Sequence, residues 1–199
     1  RLPRPARAAV PRAVVDDENR RAAEVGALPR ERSSVFVGMG VDPTIARYGA
    51  RWRAAAWADA LPAEQAADWL GQARAGLIEV LQSAGVIGTM PNMPANRLNR
   101  QLDLGGPSCS VCAEERSGLE ALDLAVRALR HGELDAALVG AVDLSCDAVH
   151  AAAAEACLPA QRRTPGDAAV ALVLKRLDDA ERDGDRIYAV LDHAGAAGA

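Results

Sequence analysis

The sequence predicts an α/β fold, a mixed sheet layered between helices. Three observations carry this. Apolar runs without polar alternation recur at 34–40, 136–142 and 168–174, as in strands covered on both faces. Between them lie segments whose apolar residues fall three and four apart, the helical spacing. The second half then runs strand, helix, strand, helix, strand, strand, the order of a layered α/β sheet.

Residues 1–33 are Pro- and Arg-rich without a clear period and read as an extended or partly helical lead-in or linker. Residues 34–40 are a β-branched run closed by glycines, a buried strand ending in a tight turn. Residues 44–60 are helical, with Ile45, Tyr48 and Trp52 on one face. Pro62 suits the first turn of a second helix, which Trp69 and Leu70 anchor. Residues 85–94, rich in Gly, Met, Asn and Pro, read as a surface loop, and 95–102 as a helix. Leu104-Gly105-Gly106-Pro107 is a turn. Residues 108–112 are a strand candidate. Leu119, Leu122, Val126 and Leu129 define a helix over 115–131, with Gly132 as its stop. A strand at 136–142, a helix at 147–157 and a buried strand at 168–174 follow. A short helix or turn at 177–182 and a strand at 187–191 complete the pattern, and 193–199 is linker-like or a truncated end.

The 199 residues are 50% hydrophobic and 25% charged, enough for a packed core and too apolar for disorder. A net charge of −4 and only 3% aromatics argue against nucleic acid as a partner. No apolar run is long enough for a membrane span, and no signal core follows the Arg-rich start. The opening Arg1-Leu2-Pro3-Arg4-Pro5 and the closing Ala/Gly run read as the ends of a piece of a longer polypeptide. Cys109, Cys112, Cys146 and Cys157 make no zinc pattern, because Cys109 and Cys112 have no second close pair and His150 stands alone. They read as packed thiols in a reducing, cytoplasmic compartment. No Gly-rich phosphate loop opens a helix, which disfavours a nucleotide-binding module.

The chemistry is expected where the strand at 108–112 runs into the helix starting near Glu115. Free backbone N–H groups at such a helix start can hold an oxyanion or lower a thiol's pKa. Here the sequence resembles a family. Residues 92–98, Asn-Met-Pro-Ala-Asn-Arg-Leu, followed by Leu104-Gly105-Gly106-Pro107-Ser108, resemble the approach to the active site in β-ketoacyl synthases. Residues 133–144 resemble that family's next strand, and 165–177 the strand after it. The resemblance covers roughly 34–192. It implies the N-terminal half of the thiolase-like layered fold, with that half's opening strand missing. It also implies an acyltransferase family acting on phosphopantetheine-linked acyl carrier protein, with no cofactor bound directly.

The departure from the pattern is at its centre. Active members read Thr-Ala-Cys-Ser-Ser-Ser-Leu at this junction, with the cysteine taking the acyl chain. Here the run is Cys112-Ala113-Glu114-Glu115-Arg116-Ser117-Gly118-Leu119. Anchoring on Leu119 and Ala121-Leu122 puts Glu115 at the nucleophile-equivalent position and leaves Cys112 three residues early, on the strand. A carboxylate there is a poor nucleophile whose acyl product would be a mixed anhydride. It suits the helix start electrostatically by about 0.3–1 kcal/mol, so Glu115 reads as a cap that seals a dead site. Glu114 points elsewhere, since adjacent helical residues do not face each other. The family's two histidines belong to its second half. His131, His150 and His193 match neither motif, and His131 sits in a last helical turn where a cation suits the dipole.

The resemblance therefore implies a degenerate, non-condensing, chain-length-factor-like domain of a fatty acid or polyketide synthase. It would shape acyl elongation beside an active ketosynthase or a second copy, pairing through Ser108, Cys109, Val111 and Cys112. The Ala-Glu-Glu-x-Ser-Gly run looks most like the chain-length-factor-like domain of polyunsaturated-fatty-acid-type multienzymes. The alternative is an acyltransferase or decarboxylase acting on malonyl carrier protein. That reading is weakened because an ionised Glu cannot donate a hydrogen bond to an enolate. A half-fold without its second half would expose a large apolar face.

Overall fold

The computed structural model describes residues 8–10, 28–144, 147–163 and 166–191. The chain divides into two compact units. The first holds a six-stranded sheet ordered β3-β2-β4-β5-β1-β6. Its strands are β1 (Ala8–Val10), β2 (Ser33–Met39), β3 (Cys109–Val111), β4 (Ala136–Asp143), β5 (Ala168–Arg176) and β6 (Ala189–Leu191). Strands β3 and β4 flank β2 and run parallel to it, while β5 is antiparallel to β4 and β1 antiparallel to both β5 and β6. The lead-in was expected as extended or partly helical, a partial lead-in or linker, and the opening strand as missing. Within it, Ala8–Val10 form β1, inserted between β5 and β6.

Helices α4 (Met93–Gln101) and α5 (Ser117–Arg130) cover opposite faces of the central strands. Phe36 of β2 and Ala137 and Val139 of β4 pack with Ala121, Ala125, Val126 and Leu129 of α5. Val35 and Val37, pointing the other way, pack with Ala95 and Leu104. Period-2 alternation thus sends neighbouring apolar residues into two cores, which is why β2 and β4 show no polar alternation. The expected buried β5 is corrected. Only Leu174 is buried, and the first half of the strand is exposed. That half pairs with the end of β4 at Asp143, where β4 also loses its cover.

The turn before β3 is built by close approach. Gly105 and Gly106 donate their N–H groups to Arg30 and Ser33 carbonyls at 2.7 and 2.9 Å. A Cβ on Gly106 would stand 2.5 Å from the Ser33 oxygen, so only glycine fits. At the same end of the strands, Arg176 pairs with Asp135 and Asp179 at 2.5 Å, and Lys175 with Asp183 and Asp185 at 2.5 and 2.6 Å. These ion pairs tie β4 and β5 to α7 (Leu177–Asp183).

The second unit contains α1 (Thr44–Ala58), α2 (Ala63–Leu77), α3 (Ser83–Thr89) and α6 (Ala148–Cys157). Arg51 donates to the carbonyls of Arg74 and Ile78 at the end of α2. Arg47 pairs at 2.7 Å with Asp147, which caps α6 through the Val149 N–H. Two expectations change here. The surface loop contains a short helix, α3, formed despite Gly85 and Gly88. Trp69 and Leu70 do not anchor α2, which buries no residue. Among the unit's described residues the buried apolar ones are Ala54, Ala58 and Ala154, whereas Trp52 is 81% and Val80 68% exposed. Among the described residues no helix is long and apolar enough to cross a membrane.

Candidate functional site

Strand β3, helix α5 and strand β4 form a crossover that passes over β2. The start of α5 therefore lies on the β2 backbone. At Gly38 an added Cβ would come within 2.5 Å of the Ser117 carbonyl and the Gly118 N. At Gly118 it would meet the Ala141 Cβ of β4 at 2.8 Å. Gly38 and Gly118 let the helix start sit directly on the sheet.

The chain makes this turn in four residues. Ala113 leaves β3 with φ −139°. Glu114 then takes φ +52°, in the left-handed region. Glu114–Arg116 form a single 3-10 turn, and α5 begins at Ser117. Ser117 is buried and bridges the turn. Its Oγ accepts the Ala113 N–H at 2.9 Å and donates to the Glu114 carbonyl at 2.6 Å. Arg116 pairs with Glu120 at 2.9 Å.

Glu115 lies inside the 3-10 turn, exposed and next to the helix start, and Glu114 is exposed beside it. Both carboxylates stand near the positive end of α5, which favours negative charge. Cys112 lies just past the end of β3 and does not reach the turn's apex. The expected packed thiols are corrected: Cys109, Cys112 and Cys157 are exposed and free. The cause for Cys109 is position, because β3 is an edge strand, and partial burial still pushes its thiol pKa up. Cys146 and His193 lie outside the described residues. His131 is the C-cap residue of α5, 3.7 Å from Glu133. Among the described residues no cluster of His, Cys, Asp and Glu could hold a metal.

Beside β3 runs a groove of about 390 Å³, lined among others by Phe36, Ser108, Cys109, Leu124, Arg127 and His131. Ser108 is held at its rim by two bonds, accepting from Asn99 at 2.7 Å and from the Val35 N–H at 2.9 Å. The outer edge of β3 carries no strand partner among the described residues.

Residues 22–180 match the family model described as Beta-ketoacyl synthase, N-terminal domain. The chain belongs to the β-ketoacyl synthases. The strand-to-helix turn after β3 lies within the matched residues. Curated relatives include a highly reducing polyketide synthase of Gibberella fujikuroi, 40% identical over 126 residues, 57% of this chain and 5% of that protein. The phthioceranic/hydroxyphthioceranic acid synthase of Mycobacterium tuberculosis is 36% identical over 120 residues, 54% of this chain and 6% of that one. The chain thus spans about a twentieth of the curated relatives it matches. Among solved structures, the PfaC keto synthase-chain length factor superposes with TM-score 0.66 at 22% identity, covering 84% of this chain and 20% of that one. The ketosynthase AntDE, solved with the acyl carrier protein AntF, gives 0.62 at 16% identity, covering 82% and 41%. At these identities the superpositions establish the ketosynthase fold.

Sequence reasoning located the strand-to-helix turn and its acidic residues. It missed the left-handed Glu114, since glutamate carries no signal for that backbone region, and the bridging role of Ser117. It also missed Gly38 as the place where α5 touches the sheet. The Gly that closes the first strand's apolar run was the one available hint.

Proposed function

We propose that this ketosynthase domain is non-condensing and acts as a chain-length-factor-like partner, shaping the acyl chain that an active ketosynthase elongates. The observation that carries the reading is the acidic turn. A ketosynthase junction with an intact seat for α5 presents Glu114 and Glu115 and no thiol, while Cys112 stays back at the strand end. A carboxylate would give a mixed anhydride in place of a thioester and does not hold an acyl chain for condensation. Glu115, nucleophile-equivalent when counted from Leu119, then seals the junction as a cap. The superposition on the PfaC keto synthase-chain length factor supports this reading.

The partner is an active ketosynthase or a second copy. The open edge of β3 at Ser108, Cys109, Val111 and Cys112 is the surface it would pair with, since an unpaired edge beside an apolar groove invites a strand. The substrate is an acyl chain on phosphopantetheine-linked carrier protein, with no further cofactor, and the reducing cytoplasm suits the exposed free thiols.

The test uses the full chain with malonyl- and acyl-carrier protein, alone and with a ketosynthase that retains its cysteine. The expected result is no condensation and no acyl adduct at Glu115 alone, and an altered product length when the partner is added. Condensation by the chain alone, or malonyl-to-acetyl conversion at a rate above the carrier protein's own, would overturn the reading in favour of an acyltransferase or decarboxylase.

A further inference from the structure

We infer that Lys175 is a shielded amine, latched by Asp183 and Asp185 so that acyl thioesters do not modify it, and that acylating it would release α7 from the sheet. This rests on the proposed reading, in which acyl thioesters are the reagents around the domain. Lys175 is the one lysine among the chain's 23 Lys and Arg residues. Arginine stays protonated and is no nucleophile toward a thioester. A lysine is one whenever its amine is free and neutral. The chain therefore offers acyl thioesters a single side-chain amine.

Three observations put that amine out of reach. Lys175 lies in β5, opposite Ala136 of β4 on one side and Ala9 of β1 on the other, and its side chain is only 12% exposed. Its Nζ pairs with Asp183 at 2.5 Å and with Asp185 at 2.6 Å. Gly184, at φ +74°, turns the chain between those two residues, so two carboxylates flank one ammonium. Burial by itself favours the neutral amine, but the bonds to Asp183 and Asp185 outweigh it and hold the Lys175 pKa above its ordinary value. The cleft over the pairs, about 320 Å³, is lined by Pro29 and otherwise by charged residues, Arg176, Asp179 and Arg182 among them. An acyl chain entering it would meet little apolar wall and would strip water from charged groups.

The same pairs make the latch. Helix α7 buries only Ala180, so ion pairs do much to hold it: Arg176 to Asp179, and Lys175 to Asp183 at the helix end. Acylation requires the pairs to open first. The ammonium gives one proton to solvent, the amine nitrogen attacks the thioester carbonyl, an amide bond forms, and the thiol leaves with the second proton. The amide is neutral. Asp185 then loses the ammonium, and Asp183 keeps Arg182.

The test incubates the full chain with acetyl-coenzyme A at mildly alkaline pH and follows acetylation of Lys175 by peptide mass, with the same chain in urea as reference. Folding should slow the reaction about tenfold or more, because two charge-assisted bonds must break first. Asp183→Asn combined with Asp185→Asn should recover most of that rate. Asp178→Asn, which changes an exposed carboxylate on the same helix, should leave it slow. A second readout decides the matter if the double variant does not fold. Lys175→Gln, which mimics the acylated side chain, should speed amide hydrogen exchange about threefold or more at Gly184 and Asp185, whose N–H groups close the end of α7. Lys175→Arg keeps the charge and should retain most of the protection. Acetylation as fast in the folded chain as in urea, no acceleration in a folded double variant, or equal exchange in the Gln and Arg variants overturns the latch. Each of these leaves the non-condensing reading standing, and condensation by the chain alone would overturn that reading without touching the latch.

Discussion

Gly38→Ala tests whether the helix start truly rests on the sheet. The added methyl would lie 2.5 Å from three backbone atoms, the Ser117 C and O and the Gly118 N. Ordinary contacts need roughly 3.4 Å or more, so the start of α5 must lift by about 1 Å. Backbone cannot rotate aside as a side chain can, so the overpacking cost belongs at the upper end of about 1–3 kcal/mol. Lifting the helix also stretches the two Ser117 bonds, each worth about 1 kcal/mol net. The expected destabilisation is about 3 kcal/mol. With a urea slope of about 2 kcal/mol/M, the midpoint falls by about 1.5 M at unchanged slope. Gly40→Ala is the control, since a Cβ there meets nothing within 4 Å. A Gly38→Ala midpoint within about 0.3 M of the control would refute the contact. The companion pair is Gly118→Ala with Ala141→Gly. The single Gly118 change should destabilise through the 2.8 Å clash, and removing the Ala141 methyl should recover much of the loss.

Acid should loosen the far end of the sheet. The Arg176 hydrogen bond, helped by Arg32, lowers the Asp135 pKa below its ordinary 3.8, and Arg182 and then Lys175 lower Asp183 to about 2. Groups with depressed folded pKa stabilise fully above the unfolded value and lose that contribution as pH falls through the folded one. Stability should therefore hold from neutrality to about pH 5 and decline between about pH 4 and 2, and Asp135→Asn should shrink that decline in an acid titration followed by circular dichroism. At the β3 edge, the raised Cys109 thiol pKa predicts an alkylation rate that still climbs above pH 9.0, read by peptide mass after iodoacetamide. A plateau at lower pH would contradict the burial.

The parts of the fold legible in the sequence are those where one physical demand set the pattern. Strand β2 must fill two cores, so Val35, Phe36 and Val37 are all apolar, and α5 must cover one of them, so Ala121, Ala125 and Leu129 fall on one face. Gly132, with φ +70°, ends that helix as its residue type announces. The failures share a different cause, since an apolar run reports composition and not cover. Ala168, Ala169 and Val170 are as apolar as β4 yet lie exposed at the end of the sheet. Trp69 looked like an anchor because it is large, but burial depends on what lies opposite, and α2 buries nothing. Glycines at 85 and 88 argued for a loop and were overruled by a short helix.

The acidic junction shows why scaffold and chemistry must be read separately. Gly38, Ser117, Gly118 and Ala141 are needed whatever the apex residue does, because without them α5 could not lie on β2 and β4. An intact seat is thus evidence of fold and silent on condensation. Chemistry depends on the side chain at the apex, and there the electrostatics are indifferent to catalysis too. A carboxylate at a helix start gains about 0.3–1 kcal/mol whether or not substrate arrives. What separates the readings is bond chemistry. A thiolate at this turn can carry an acyl chain as a thioester, while a carboxylate cannot do so usefully. Cys112 lies just past the end of β3, before the chain turns. Its neighbours hold it in that place. Ser108 is bonded to Asn99 and Val35, and Ala113 to Ser117, so the residues on both sides of Cys112 are pinned.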